Sequence, residues 1–312
     1  MNNNVVEKLF IVLPMMTSQV KISIIVTSYN QKGILSKTLK HLGQLAHPQY
    51  EIIVMDKSAE ARDMAFPDWN GRVRYYHLGS NEKLSARNFG LLQAKGEIVL
   101  FCDDDIIPTQ RWLQAHEENY ADPLIGGVAG RIIEDSGETQ AQEVGKINWR
   151  TGQLIENFNS NIRAEIDYGR ACNLSLRANV LRKLSGFDTR FGSSAVLEEI
   201  DACLRVKSFG YKIIFEPQAN VIHLKINKAD NNYKSLRDRS YWYGHNSSLL
   251  FFKNFDHRTL LGHLTHKLKK LLHESWRHKN TGIFFYGIKG LVDGYYSYHH
   301  RDGNGYSCSA PL

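Results

Sequence analysis

Three consecutive aspartates at the end of a short apolar run are the residues of this chain best suited to chemistry. The run at 98–102 is followed directly by Asp103, Asp104 and Asp105. A short apolar run closed by polar residues is typical of a buried parallel strand, which predicts these carboxylates at its C-terminal edge. Adjacent carboxylates repel unless a cation shares them, and oxygen ligands of this kind suit Mg²⁺ or Mn²⁺. A solvated acidic turn is the alternative, but the position at a strand end favours a metal site.

Short apolar segments alternate with helical patterns through the first two-thirds of the chain. Strands are predicted at 22–27, 51–55, 73–78 and 98–102, and helices at 34–42 and 84–95. Such alternation is typical of an α/β fold with a doubly wound, mostly parallel sheet. In sheets of this kind a ligand lies at the carboxyl ends of the strands.

Polar side chains are expected together at this carboxyl edge. They are Thr27, Ser28, Tyr29, Asn30, Asp56 and the three aspartates. Asp56 alone could equally be a helix cap or a turn former. Its place at a strand end beside the aspartates favours a role in binding.

A second acidic group lies in the less regular half of the chain. Glu198, Glu199 and Asp201 open a predicted helix that ends near Gly210. Carboxylates in a first helical turn are also favoured by the helix dipole alone, which is the structural explanation for them. The glycine-containing segment 186–192 just before them favours a shaped loop that carries the helix start into a site.

A series of short motifs occurs in a fixed order along the chain. They are Ile-Ile-Val-Thr-Ser-Tyr-Asn at 24–30, Ile-Val-Met-Asp at 53–56, Ser-Ala-Arg-Asn-Phe-Gly at 85–90, the aspartates at 103–105, Asn-Leu-Ser-Leu-Arg at 173–177, Gly-Phe-Asp at 186–188, and Glu-Glu-Ile-Asp at 198–201 with Arg205. In this order they resemble the family-2 glycosyltransferases of the GT-A fold, over roughly residues 21–225. The resemblance implies an N-terminal extension at 1–20, a Rossmann-like GT-A domain at 21–228, and a helical C-terminal region with a tail at 229–312.

The resemblance implies that a nucleotide-diphosphate sugar lies across the first half of the domain. Thr27 and Tyr29 would border the base, and Asp56 would accept a hydrogen bond from its edge. Arg87 would lie near the nucleotide.

The resemblance also implies a divalent cation, Mn²⁺ or Mg²⁺. Asp103 and Asp104 would face the ribose and diphosphate, and Asp105, the last residue of the family's DxD motif, would bind the cation with Asp103. A lone histidine is more often structural than a ligand. His223, at the end of a predicted strand, nevertheless resembles the histidine that completes the metal site in several relatives.

The acceptor hydroxyl must lose a proton, which requires a carboxylate on the opposite face of the sugar. Glu199 stands at the second position of the family's Glu-Asp motif and is the candidate base, so the reaction would invert the anomeric centre. A glutamate replaces the usual aspartate there, and Glu198 therefore stays open as the base.

Three further segments allow two interpretations each. The small residues at 126–130 could let a strand pass beneath a bound sugar, or form a flexible loop. The polar stretch 132–161 is predicted as a loop over the acceptor, in which Trp149 could stack on a sugar or serve packing alone. A basic amphipathic helix is predicted within 260–279 from the leucines at 261, 264, 268, 271 and 272. This helix could lie on an anionic membrane or dock on the domain.

Composition limits the class of protein. A formal net charge of +7 comes without a nucleic-acid-binding signature, so no nucleic-acid partner is expected. No apolar run approaches the roughly 20 residues of a membrane-spanning helix, and the segment 9–16 makes a poor secretory signal. The four cysteines lack a paired spacing, which fits a reducing cytosol. We expect a cytoplasmic location, with peripheral contact at the inner face of the membrane as an open alternative.

The sequence thus predicts an inverting, metal-dependent hexosyl- or related transferase. It would move a sugar from a nucleotide-diphosphate donor to a saccharide or lipid-linked saccharide acceptor, in surface polysaccharide or glycolipid synthesis. A catalytically silent, nucleotide-sugar-binding scaffold is the alternative. A nucleotidyltransferase fits less well, because the chain lacks a glycine-rich phosphate loop near the first strand.

Overall fold

The computed structural model describes residues 20–29, 32–60, 71–79, 85–134, 141–192, 196–224 and 235–300. Nearly all of the predicted N-terminal extension, Asn30 and the tail at 301–312 lie outside these residues.

The described residues form a mixed α/β structure. The strands are β1 (Ile22–Ser28), β2 (Tyr50–Asp56), β3 (Val73–His77), β4 (Ile98–Asp103), β5 (Ile106–Pro108), β6 (Ile125–Ile133), β7 (Lys146–Asn148), β8 (Gln153–Ile155), β9 (Ala164–Ile166), β10 (Asn173–Arg177) and β11 (Lys212–His223). The helices are α1 (Lys32–Gly43), α2 (Ala86–Gln93), α3 (Trp112–Asn119), α4 (Ala178–Lys183), α5 (Glu198–Ser208), α6 (Leu236–Asn254), α7 (Leu260–Arg277) and α8 (Thr281–His299).

One sheet forms the centre of the molecule. Its order is β3-β2-β1-β4-β10-β6-β11-β5, and β9 pairs with β11. Strands β1, β2, β3, β4, β6 and β11 share one direction, whereas β5, β9 and β10 run against their neighbours. The predicted α/β fold with a mostly parallel sheet is confirmed. β1, β2 and β4 are buried almost throughout, which explains why their sequences are continuous apolar runs rather than alternating ones.

The second half of the sheet differs from the sequence prediction. The apolar runs at 212–215 and 221–222 predict two separate strands, but the structure has one strand, β11, with an irregularity between Glu216 and Val221. Pro217 lies in this irregular part; it cannot donate a hydrogen bond and interrupts the apolar pattern. The loop predicted at 132–161 also contains a hairpin, β7 paired with β8, whose three-residue strands are too short to show a periodicity.

The small residues at 126–130 belong to β6, so the interpretation as a strand holds and that as a flexible loop is wrong; a sugar above this strand stays a prediction. A Cβ on Gly127 would lie 2.6 Å from a Leu176 methyl group. A Cβ on Gly130 would lie 1.9 Å from the Ala219 carbonyl oxygen. Glycine at these two positions therefore admits the neighbouring strands β10 and β11.

Helices α6 and α8 approach each other at backbone distance. A Cβ on Gly290 would lie 2.0 Å from the Tyr241 carbonyl oxygen, and one on Gly294 would lie 2.1 Å from that of His245. Because glycine has no side chain, the backbones of α6 and α8 come closer at these positions than any other residue would allow.

Helix α6 also joins the helical region to the sheet domain through a partly buried charge cluster. Lys253 forms ion pairs with Asp188 and, at 2.8 Å, with Asp201. Asp188 further pairs with Arg190, and Asp201 with Arg205. Burial alone would raise the pKa of Asp188, but Arg190 and Lys253 lower it well below its usual range.

The predicted amphipathic helix exists as α7, but its leucine face is not the docked face. The buried residues of α7 are His263, Lys267 and Leu271, and the His263 ring lies 4.5 Å from the Phe251 ring. Leu261 and Leu272 are 75% and 56% exposed. The alternative in which the apolar face docks and the lysines are solvated is therefore met only in part, because Leu271 is buried but so is Lys267. None of the described helices has the length and apolar character required to cross a bilayer.

We predict that Lys253→Met lowers the free energy of unfolding by about 3 kcal/mol, because two buried carboxylates lose a shared cation. Urea unfolding followed by circular dichroism measures the change. Lys289→Met is the matched control, since Lys289 pairs with Asp293 on the exposed face of α8 and should contribute less than about 1 kcal/mol. Equal losses in the two variants would contradict a role of Lys253 in joining the helices to the sheet.

Candidate active site

The register of three parallel strands brings the predicted polar residues to one edge of the sheet. Thr27 of β1 lies opposite Asp103 of β4, and Ser28 lies opposite Asp56 of β2. These strands therefore end level with one another, and Tyr29, which follows β1, is 41% exposed there.

The turn between β4 and β5 holds the three aspartates in different environments. Asp104 is 3% exposed, and its carboxylate accepts a hydrogen bond of 2.6 Å from the Ser28 hydroxyl. The Thr38 hydroxyl donates to the carbonyl oxygen of Asp104 at 2.7 Å. Asp104 is thus tied to β1 and α1 and shapes the turn; its contact with the ribose or diphosphate stays a prediction.

Strand β5 brings His223 to the same turn. β5 pairs antiparallel with the end of β11, so that His223 lies opposite Ile106, and the Leu224 amide donates to the Asp105 carbonyl oxygen at 2.9 Å. His223 Nε2 lies 3.2 Å from Asp105 Oδ1 and 3.8 Å from Asp103 Oδ2. The sequence contained all three residues, but β5 was not among the predicted strands.

The donor set of this turn fits a divalent cation. One ligand atom from each of Asp103, Asp105 and His223 lies within 4.8 Å of the others. Neither ring nitrogen of His223 makes a hydrogen bond within the described part of the chain, although both are buried. The carboxylates of Asp103 and Asp105 raise the pKa of His223 to about 9, so a proton occupies the ring where a cation would otherwise be bound.

A further acidic residue, Glu134, lies behind His223 and was missed at the sequence level. Glu134 Oε1 is 3.7 Å from His223 Nδ1 and 3.5 Å from Arg170 Nη1. A carboxylate on the far nitrogen of a ligand histidine fixes the orientation of the ring. Glu134 directly follows β6, so the strand-end argument that singled out Asp56 could have found it.

The second acidic group begins α5 immediately after a strained residue. Leu197 has φ of 71°, a left-handed conformation that costs a side-chain-bearing residue roughly 1 to 2 kcal/mol. The side-chain amide of Asn246 on α6 donates to the carbonyl oxygens of Phe191 and Val196, both at 2.8 Å. The helical region thus fixes the loop that delivers Glu198 and Glu199, and the sequence carried no signal for Asn246.

Glu198 and Glu199 have different environments despite being adjacent. Glu198 is 3% exposed and forms a hydrogen-bonded ion pair with Arg87. Burial acts to lower the pKa of Arg87, but Glu198, Glu199 and Asp103 together raise it, so the guanidinium stays charged between the two acidic groups.

Glu199 has no comparable partner. Its Oε2 atom is buried and makes no hydrogen bond to a described residue. Burial raises the pKa of Glu199 to about 7, although Arg87 acts in the opposite direction. A carboxylate with this pKa can exchange a proton near neutral pH.

The residues expected at the nucleotide base are held by local contacts. Asp56 is fully buried and accepts hydrogen bonds from the Ser58 amide at 2.8 Å and the Tyr75 hydroxyl at 2.7 Å. The turn-forming role of Asp56 is therefore present in the structure, and its contact with a base stays a prediction. Trp149 is 45% exposed, and its ring lies 5.0 Å from the Phe255 ring, so it takes part in packing.

Comparison with known proteins supports the sequence resemblance. The model of the glycosyl transferase family 2 matches residues 23–184, over half of the chain. A pre-mycofactocin glycosyltransferase of Mycobacterium tuberculosis (strain ATCC 25618 / H37Rv) is 27% identical over 151 residues, which cover 47% of this chain and 31% of that protein. The chain therefore spans about a third of the length of this relative.

Solved structures show the same fold. S. aureus TarS 1-349 in complex with UDP-GlcNAc has a TM-score of 0.57 at 16% identity, covering 88% of this chain and 80% of that one. Mannosyltransferase PcManGT from Pyrobaculum calidifontis, in complex with GDP-Man and Mn²⁺, has a TM-score of 0.52 at 16% identity, covering 89% of this chain and 75% of that one. At these identities the likeness concerns the GT-A fold. From the family match, the order of its motifs and this fold, the chain belongs to glycosyltransferase family 2.

Proposed function

We propose that this chain is a metal-dependent, inverting glycosyltransferase. It moves a hexosyl or related sugar from a nucleotide-diphosphate donor to a hydroxyl of a saccharide or lipid-linked saccharide, in surface polysaccharide or glycolipid synthesis. The observation that carries the proposal is the charged Arg87 between two acidic sites: the turn containing Asp103 and Asp105 on one side, and Glu199 on the other.

The donor is proposed to lie along the carboxyl edge of β1, β2 and β4. Tyr29 and Thr27 border the base, and Asp56 accepts a hydrogen bond from it beside Ser58. The partial exposure of Tyr29 supports this placement, as does the level ending of the three strands.

Asp103, Asp105 and His223 would hold Mn²⁺ or Mg²⁺, with Glu134 orienting the histidine ring. When bound, the cation would stabilise the charge that grows on the departing diphosphate. The Mn²⁺ in the PcManGT structure belongs to that protein and supports manganese as the first metal to test.

Glu199 is proposed as the general base. The acceptor oxygen forms a bond to the anomeric carbon while the bond from that carbon to the diphosphate oxygen breaks, and the electron pair leaves with the diphosphate. Glu199 takes the hydroxyl proton, for which its pKa of about 7 is suited. Glu198 is committed to Arg87, so it acts as a positioning residue for the guanidinium.

A peripheral membrane contact through residues 260–279, from the cytoplasmic side, is proposed for delivery of a lipid-linked acceptor. Leu261, Leu272 and Trp276 of α7 are 75%, 56% and 79% exposed, and Lys269 and Lys270 are exposed on the same helix. Exposed apolar side chains beside cations are typical of helices that lie in the interface of anionic membranes.

We predict that Mn²⁺ with UDP or GDP raises the melting temperature of the wild-type chain, since a ligand that binds only the folded form stabilises it. Asp105→Asn and His223→Ala should lose this shift, because each removes one of the proposed ligands. Differential scanning fluorimetry measures it. Glu165→Gln, which changes an exposed acid on β9, should keep the full shift. The metal-site proposal would be contradicted if Asp105→Asn, His223→Ala and this control all showed the same thermal shift.

We predict that Glu199→Gln lowers kcat by about 10² to 10⁴-fold, because an amide cannot accept the proton. In the wild type, kcat should fall as pH decreases below about 7, where the Glu199 carboxylate becomes protonated. This acid limb should disappear in the variant. Release of nucleoside diphosphate with a glycosyl acceptor, measured across pH, gives both results.

Glu198→Gln separates the two adjacent glutamates. It should lower thermal stability by leaving Arg87 without its carboxylate, yet keep the acid limb. Wild-type turnover in Glu199→Gln would exclude Glu199 as the base, and absence of turnover in every form would favour a nucleotide-sugar-binding scaffold.

We predict that the double variant Leu272→Ser and Trp276→Ser weakens binding to vesicles of phosphatidylcholine with 30% phosphatidylglycerol by about tenfold or more, through lost apolar burial. Cosedimentation measures the bound fraction. Leu92→Ser, at an exposed leucine of α2, is the control and should leave binding unchanged. Equal binding by all three forms would contradict a membrane contact at α7.

A further inference from the structure

A lysine in the helical region is buried without a carboxylate partner. Lys267 of α7 is 5% exposed, and no acidic residue of the described chain contributes to the shift of its pKa. Its Nζ lies 4.9 Å from the centroid of the Tyr243 ring. Lys267 has a side-chain hydrogen bond with Tyr243, which gives the ammonium group a polar contact but no carboxylate counter-ion. A buried ammonium group is best stabilised by an anion, so this environment favours binding of one.

A second lysine faces the same tyrosine from the rim. Lys270 Nζ lies 4.3 Å from the Tyr243 ring centroid and 3.1 Å from its hydroxyl oxygen. Lys270 is exposed, whereas Lys267 is not, so the two ammonium groups mark the mouth and the floor of one site.

These residues line a cavity of about 210 Å³ between α6, α7 and α8. At about 30 Å³ per water molecule, such a cavity has room for about seven waters, more than a phosphate group occupies. Its charged lining consists of Arg239, Lys267 and Lys270 against one carboxylate, Glu274, with His278 beside it. Glu274 lies 3.5 Å from His278 Nε2, so this acid is already engaged.

The protonation of the lining residues agrees with an excess of positive charge. Burial lowers the pKa of Lys267. Burial would raise the pKa of Tyr243, but the two lysines outweigh it and lower that pKa. The shift of Tyr243 has the direction that two nearby ammonium groups produce, whereas the shift of Lys267 follows first from its burial.

We propose that this cavity binds a phosphate group, with Lys267 contacting it from the floor and Lys270 and Arg239 from the rim. Compact ammonium groups bind phosphate as point charges, and an arginine adds a planar pair of donors. The group could belong to a soluble phosphate compound or to the headgroup of a lipid. The site shares no residue with the acidic edge of the sheet, so the proposal is independent of the glycosyl-transfer reaction.

The first test uses inorganic phosphate and the full-length chain. Phosphate should raise the melting temperature above that in sodium chloride of equal ionic strength. Lys267→Met and Lys270→Gln should each weaken the apparent affinity by about tenfold or more, equivalent to about 1.4 kcal/mol. Lys212→Gln, which removes an equal charge from an exposed position of β11 outside both the cavity and the residues 260–279, is the matched control and should behave as wild type. Since Lys270 is exposed, its variant tests the site even if Lys267→Met does not fold.

The second test identifies the source of the phosphate. Flotation with vesicles of phosphatidylcholine containing 30% phosphatidic acid is compared with pure phosphatidylcholine. Flotation that is lost in both Lys267→Met and Lys270→Gln and kept in Lys212→Gln assigns a lipid headgroup. A phosphate-dependent thermal shift without such flotation assigns a soluble ligand. The proposal is overturned if, in both tests, the two cavity variants respond as the Lys212→Gln control does.

Discussion

Main-chain pairing between β5 and the end of β11 is the interaction on which the acidic site depends. Asp103 and Asp105 belong to one turn, but His223 comes from a strand far along the chain. The pairing of Ile106 with His223, and the hydrogen bond from the Leu224 amide to Asp105, bring the imidazole to the carboxylates. A three-residue strand has little stability alone, so the geometry of the site is fixed by β11 and, through it, by β6.

The C-terminal helices contribute to the site from the opposite side. Asn246 of α6 donates to the carbonyl oxygens of Phe191 and Val196, and Val196 directly precedes the left-handed Leu197 at the start of α5. Lys253 adds the ion pairs to Asp188 and Asp201. The position of Glu198 and Glu199 therefore depends on a region more than thirty residues further along the chain, which explains how a strained backbone persists there.

Unbalanced buried charge distinguishes the functional residues from the structural ones. The pairs of Arg87 with Glu198 and of Lys253 with Asp188 neutralise each other within the fold. Among the described residues, Glu199 and Lys267 form no such ion pair, and the ring of His223 faces three carboxylates at once, those of Asp103, Asp105 and Glu134. Stability alone does not favour such groups, because removing a charge from water without pairing it is unfavourable. Their presence at three places is a physical reason to look for ligands there.

The sequence alone determined the fold class and most of the carboxyl edge. Apolar runs specify buried parallel strands, and a polar residue directly after such a run must emerge at the same edge, which is how Thr27, Asp56 and Asp103 were found. Sequence periodicity does not reveal contacts between segments that are distant in the chain. Three features depend on which atoms meet in the folded molecule. They are the pairing of β5 with β11, the position of Glu134 beside His223, and the different environments of Glu198 and Glu199. The same holds for α7, whose sequence defines an apolar face but whose docking buries Lys267 instead of Leu261. A periodic pattern fixes which side chains share a face; only the neighbouring helices decide which face is covered.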